Sequence, residues 1–131
     1  MKVFVYGTLK PGEANYQPYC AGKVVEAVRA YTRGQLFDLP LGYPGMTPGN
    51  ERVEGFLLTF AESGVLAFID QLEGYNSQRP PKQNEYNRRV IQVYNISDEP
   101  LGEAWGYLMS RERVQQLGGV LLPSGWWSGN N

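Results

Sequence analysis

The chain has 131 residues, 42% hydrophobic and 13% aromatic, with 12 basic against 13 acidic side chains and a formal charge of -1. That is one domain's length, enough to bury a core without staples, and it lacks the basic excess of a nucleic-acid-binding module. There is no histidine and a single cysteine, Cys20, which excludes Ser/His/Asp and Cys/His triads, His-ligated zinc and an intrachain disulfide. Acid-base work at neutral pH must then fall to a carboxylate, a lysine or a tyrosine with a displaced pKa. No apolar run reaches the length of a signal-peptide core or a membrane span, so a soluble cytoplasmic protein is expected.

The first predicted element is a strand from Lys2 to Tyr6, which breaks into the polar turn Gly7-Thr8-Leu9-Lys10-Pro11-Gly12. Glycine takes backbone angles that other residues avoid, so Gly7 allows a sharp turn whose successive N-H groups can hold a carboxylate or an oxyanion. Taken alone, the segment also fits an ordinary strand and tight turn. Further strands are predicted over Tyr31 to Leu39, Arg52 to Phe60, Arg88 to Ile96 and Glu103 to Met109, from their β-branched and aromatic residues bounded by Gly, Pro and Asn. In the second of these, Phe56, Leu58 and Phe60 share a face more apolar than that of Val53, Gly55, Leu57 and Thr59. The strand is therefore expected to border a core on one side.

One stretch has a clear helical period: Val65, Phe68, Ile69 and Leu72 fall on one face. Ser63 is the candidate N-cap and Gly74 the stop, giving a helix from Glu62 to Leu72. A weaker helical turn lies at Arg111 to Leu117, ended by Gly118-Gly119. Pro40 to Asn50 and Asn76 to Asn87 read as loops, Ser128 to Asn131 as a flexible tail after a single domain over 1–127. Short strands with one clear helix describe an α+β domain, a small closed or nearly closed mixed β-barrel with flanking helices. Trp126 and Trp127 are expected to pack onto it.

Glu73 ends the predicted helix, in Asp70-Gln71-Leu72-Glu73-Gly74-Tyr75. The negative end of the helix dipole and partial burial among aromatic rings would both raise its proton affinity. Such a carboxylate can take a proton from an ammonium and return it to a leaving amine, the task usually given to histidine. Taken alone, the segment also fits an exposed helix-end glutamate.

Four ordered motifs together resemble the γ-glutamylcyclotransferase-like superfamily: Tyr6-Gly7-Thr8-Leu9, Ile69-Asp70-Gln71-Leu72-Glu73-Gly74, Tyr86-Asn87-Arg88 and Gly106-Tyr107-Leu108. Intermediate segments agree, among them Gly34-Gln35-Leu36-Phe37-Asp38, Gly42-Tyr43-Pro44, Val53-Glu54-Gly55 and Pro123-Ser124-Gly125-Trp126. The likeness covers nearly the whole chain and is strongest to the γ-glutamylamine cyclotransferase and avirulence-induced-protein branch. It implies a mixed barrel that converts a γ-glutamyl amide to 5-oxoproline and a free amine, with no metal or organic cofactor.

By the resemblance, Glu73 is the acid-base residue, and the amides of Gly7, Thr8 and Leu9 hold the α-carboxylate or polarise the carbonyl. Tyr6 forms part of the pocket wall. Tyr86 and Tyr107 either orient the γ-glutamyl group or pack in the core with satisfied hydroxyls. Arg88 pairs with Asp70 or with Glu73, Asp70 being preferred. The expected partner is a small γ-glutamyl molecule bound by a monomer, with no nucleic acid and no membrane. The leaving amine would be read by Glu13 to Tyr19, Pro40 to Pro48 and the lid-like Asn76 to Asn87. A binding module that has kept the pocket without turnover is the alternative to an enzyme, and retention of Glu73 favours the enzyme.

Overall fold

In the computed structural model, which describes residues 1–129, five strands pair edge to edge in a ring. These are β1 (Lys2–Val5), β2 (Val24–Asp38), β3 (Pro44–Phe60), β4 (Asn87–Tyr94) and β5 (Pro100–Leu108), and β6 (Val120–Leu121) adds to the outside of β2. The order is β3-β1-β5-β4-β2-β6, and a further β3–β2 pairing closes the circuit. All pairings are antiparallel except β1 with β5. Helices α1 (Tyr16–Tyr19), α2 (Val65–Leu72) and α3 (Arg111–Gln116) and a short 3-10 turn (Pro81–Gln83) lie in the connections. The mixed α+β architecture is as expected. Among the described residues, no helix is long and apolar enough to cross a membrane.

Alternation along β1 sends its side chains into two cores. Phe4 and Tyr6 join Ala30, Leu36, Met46, Val53, Leu57, Val93 and Ala104, a cluster fed by all five ring strands. Val3 and Val5 join Leu58, Phe60 and Tyr107 together with Ile69 of α2, Val114 of α3 and Cys20 after α1. Strand β3 likewise buries Val53 and Leu57 in one cluster and Leu58 and Phe60 in the other. The expectation that it borders a core on one side is therefore corrected: helices cover what would otherwise be its solvent face.

The largest departure from the sequence reading is the hairpin of β2 and β3. Strand β2 begins at Val24, and β3 takes up most of the expected Pro40–Asn50 loop, starting at Pro44. Register jumps from Gly34↔Glu51 to Gln35↔Thr47, so residues 48–50 loop out and accommodate Pro48, which has no N-H to give a ladder. Composition alone marks that stretch as loop because the pairing partner that holds it is remote in sequence.

Helix α2 starts at Val65, and Ser63 makes no side-chain cap; Gly64 occupies the cap position. Its C-terminus follows the expectation. Gly74 has φ of +66°, the Gly74 N-H bonds the Gln71 carbonyl and the Tyr75 N-H bonds the Asp70 carbonyl. This is the Schellman geometry that glycine permits. Ser110 does cap α3, its hydroxyl accepting from the Arg113 N-H at 3.1 Å.

The C-terminal segment packs on the sheet as expected. Trp127 is buried and its indole N-H donates to Asp38 Oδ1 at 3.1 Å. Gly129 donates to Glu13 Oε1 at 3.2 Å, and the rest of the expected tail, 130–131, lies outside the described residues.

Close approach of β1 to β3 generates a stability prediction. A Cβ built on Gly55 would stand 2.1 Å from the Val5 carbonyl oxygen, whereas one on Gly64 would meet nothing within 4 Å. Gly55→Ala should cost about 3 kcal/mol or more in urea unfolding, and Gly64→Ala should stay within about 0.5 kcal/mol of wild type.

Candidate active site

Strand β1 ends where the chain turns under α2, and the space between them is a cavity of about 210 Å³. Its wall brings together the sequence-predicted Tyr6, Gly7, Thr8, Leu9, Glu73, Tyr86 and Tyr107. Asp70 and Arg88 stand behind that wall rather than in it. The lining also includes Tyr43, Pro44, Asn15 and Glu85, each within a segment expected to read the leaving group but none predicted as a site residue.

The turn after β1 is held by Lys10 N-H to the Gly7 carbonyl at 3.1 Å and Asn15 N-H to the Thr8 carbonyl at 2.9 Å. Asn15 Nδ2 also donates to Thr8 Oγ1 at 3.0 Å. The carbonyls are thereby spent, while the N-H groups of Gly7, Thr8 and Leu9 donate to no acceptor among the described residues. The reason for glycine differs from the expectation. Gly7 has no positive φ; instead a Cβ there would stand 2.8 Å from Pro44 Cγ. Glycine is needed because β3 passes so close.

Pro44 in turn fixes a tyrosine. The Tyr86 hydroxyl donates to the Pro44 carbonyl at 2.5 Å, and the Tyr6 hydroxyl donates to the Tyr107 carbonyl at 2.7 Å while accepting the Met46 N-H at 3.3 Å. Tyr107 donates to Asp70 Oδ1 at 2.6 Å. All three rings thus wall the cavity with their protons committed to protein acceptors. Burial is the main force holding these phenols protonated, and the charge of Glu73 adds to it. Their free lone pairs can accept from a bound molecule.

Asp70 completes a chain behind Tyr107. Its Oδ2 pairs with Arg88 Nη1 at 2.5 Å, and the guanidinium lies 4.6 Å from the Trp105 ring centre and 5.1 Å from that of Tyr75. Arg88 therefore pairs with Asp70 and not with Glu73. Among the described residues the Glu73 carboxylate has no ion pair. Burial, followed by the carboxylates of Glu85 and Asp70, pushes its pKa up to about 8. The ordering of causes sharpens the expectation, since desolvation leads and neighbouring carboxylates follow.

Lys10 carries a role that sequence reasoning missed. Its ammonium lies 3.3 Å from the Trp126 ring centre and donates to the Trp127 carbonyl, tying the turn to the C-terminal segment. Burial pulls its pKa down to about 8, against the pull of Glu13. The expected lid is also more constrained than a loop: Asn84 is buried, its Oδ1 accepting from the Asn76 N-H and Arg79 Nε, its Nδ2 donating to the Asn76 carbonyl and Asn87 Oδ1. A polar residue in a polar run gives no hint of burial until its partners are known. No group of three or more His, Cys, Asp or Glu side chains able to hold a metal occurs among the described residues.

The cavity of this strand ring thus gathers a carboxylate, a glycine turn and three tyrosines. The chain belongs to the gamma-glutamyl cyclotransferase, AIG2-like family, whose model matches residues 3–129. The chain is 34% identical over 110 residues to the gamma-L-glutamyl-butirosin B gamma-glutamyl cyclotransferase of Niallia circulans, spanning 84% of this chain and 67% of that protein. The protein is thus a cyclotransferase. The solution structure of ytfP from Escherichia coli superposes with a TM-score of 0.61 at 31% identity, over 97% of this chain and 96% of that one. An AIG2-like protein of Mus musculus shares the fold, with a TM-score of 0.71 at 21% identity over 97% and 87% of the respective chains.

The burial of Glu73 should be visible in stability. A carboxyl whose folded pKa is raised from 4.5 to about 8 binds its proton more tightly when folded. Its contribution is full below the unfolded pKa and lost as pH rises toward the folded one. Urea midpoints of wild type and Glu73→Gln should therefore diverge between pH 5 and pH 8, the variant gaining about 1–3 kcal/mol after allowing for partial solvent contact, and run parallel above that. Parallel curves across the whole range would contradict the burial of an unpaired carboxyl.

Proposed function

We propose that the protein converts a γ-glutamyl amide to 5-oxoproline and a free amine, with Glu73 as the proton carrier. The observation that carries this reading is the Glu73 carboxyl, without an ion pair among the described residues and with its pKa pushed up to about 8, lining the same cavity as the turn whose amides have no acceptor there. In the reaction the substrate's α-nitrogen attacks its own γ-carbonyl carbon. One C-N bond forms, closing the five-membered ring, and the amide C-N bond breaks.

The protein's task follows from this intramolecular course. Folding the substrate into its ring-closing shape supplies the large entropic part of the acceleration. The α-nitrogen begins as an ammonium and ends with one hydrogen in the lactam, so two protons must pass to the leaving nitrogen, which departs as an ammonium. Glu73 takes one at a time. An ordinary carboxylate holds a proton too weakly to deliver it to a leaving amine, whereas one with a pKa near 8 is matched to both halves of the transfer. The amides of Gly7, Thr8 and Leu9 serve the α-carboxylate or the charge that develops on the γ-oxygen. Tyr6, Tyr86 and Tyr107 accept from the α-ammonium or simply shape the wall, and Asp70 with Arg88 fixes Tyr107. The substrate is a small molecule taken up by a single chain.

Release of 5-oxoproline from a panel of γ-glutamyl amines and γ-glutamyl dipeptides tests the assignment. Glu73→Gln should lower kcat by about 10²–10⁴-fold while still binding substrate. In wild type, kcat/KM should climb with pH through a midpoint near 8 as Glu73 ionises. Equal turnover by wild type and variant would remove Glu73 from the chemistry.

A further inference from the structure

Beyond the cavity lies a second and larger depression, a groove of about 420 Å³ between the 3-10 turn, β4, the end of β5 and α3. Glu85 lines both spaces, so the groove continues the site on the side away from β1. The two spaces differ in chemistry. The first is walled by aromatic and apolar groups and carries the carboxylates of Glu73 and Glu85. The second carries Lys82, Arg89 and Arg113.

None of these three cations forms an ion pair among the described residues, whereas Arg29, Arg52 and Arg88 all do. Arg113 is half-buried, and its Nη2 donates to the Lys82 carbonyl at 3.3 Å, which holds the guanidinium across the groove between the 3-10 turn and α3. Its field reaches the first cavity, where it opposes the upward shift of the Tyr43 hydroxyl caused chiefly by burial. Of the groove's two carboxylates, Glu85 faces the junction and Glu112 lies beside Gln116 Nε2 at 3.5 Å. The groove thus carries three cations against Glu112, while Glu85 stands where it meets the cavity. A guanidinium held in place with free donors is a ready partner for a carboxylate.

We propose that this groove is the subsite for the leaving amine, and that it selects amines bearing a carboxylate at their far end. The proposal rests on the γ-glutamyl cleavage reading above. The departing nitrogen lies near Glu73 and Glu85, where it leaves as a cation beside two acidic groups, and the carboxylate lies between Arg89 and Arg113. Such an amine is an amino acid or a peptide. A diamine would place a second cation against the basic end of the groove and is disfavoured.

The test compares γ-glutamylglycine and γ-glutamyl-ε-aminocaproate with their carboxamides and with γ-glutamylputrescine. The better carboxylate substrate should show a KM about tenfold below that of its carboxamide, as one charge-assisted contact allows. The double variant Arg89→Gln, Arg113→Gln should erase that difference by raising KM for the carboxylate, with kcat and the carboxamide's KM unchanged. Equal KM for the pair, preference for γ-glutamylputrescine, or an equal effect of the variant on every substrate would overturn the proposal while leaving cleavage intact. Binding without chemistry gives an independent arm: free ε-aminocaproate should perturb the Arg89 and Arg113 side-chain N-H resonances, and putrescine should not. Those perturbations in a protein that cleaves no γ-glutamyl amide would uphold the groove as a carboxylate site and sink the cleavage reading. No perturbation by ε-aminocaproate would sink the groove.

Discussion

The site depends on how Asp70 spends its two oxygens. One accepts the Tyr107 hydroxyl and the other pairs with Arg88, so the last turn of α2 is bolted to β5 and β4 at once. That bolt has an electrostatic consequence. Arg88 is engaged by Asp70, and Glu73, three residues further on, stays without a compensating cation in a desolvated wall. Had the guanidinium swung to Glu73, it would have held that carboxyl ionised and made it a poor proton donor. The ion pair thereby leaves the proton affinity of Glu73 to burial and to the neighbouring carboxylates.

The opposite wall is organised by backbone rather than by charge. Pro44 presses against Gly7 and accepts from Tyr86, while Tyr6 bridges the Tyr107 carbonyl and the Met46 amide. Each tyrosine hydroxyl donates to a protein acceptor, which fixes the rings, and burial keeps their phenols neutral. The turn spends the Gly7 and Thr8 carbonyls on itself, and the amides of Gly7, Thr8 and Leu9 have no acceptor among the described residues. Lys10 anchors it from behind on Trp126 and Trp127. On the proposed reading, a chain without histidine uses these amides as its electrophilic surface and Glu73 as its proton carrier.

The parts legible in the sequence are those whose signals are local. The apolar period of Val65 to Leu72, the helix stop at Gly74 and the strand leading into Gly7 depend on neighbours within a few residues, and the motifs around Tyr6 and Glu73 carry the family likeness. What escaped depends on partners remote in the chain. Pro44 to Phe60 is one long strand because β2 lies beside it, and the need for Gly7 to be glycine arises from Pro44. Ser63 has the right chemistry for a cap, yet the helix begins beyond its reach. Glu85 and Asn84 sit in a polar run that reads as solvated loop; only the fold turns one toward Glu73 and buries the other. The choice of Arg88 between two carboxylates was open for the same reason.

The central claim is that Glu73 is an uncharged acid at neutral pH because it is largely desolvated and has no cation paired with it among the described residues. The most direct measurement is a titration of its side-chain carboxyl carbon by NMR in the ligand-free protein, assigned by comparison with Glu73→Gln. The account predicts a midpoint near 8, reflecting burial and the charges of Glu85 and Asp70. A midpoint near the ordinary value of 4.5 would contradict it.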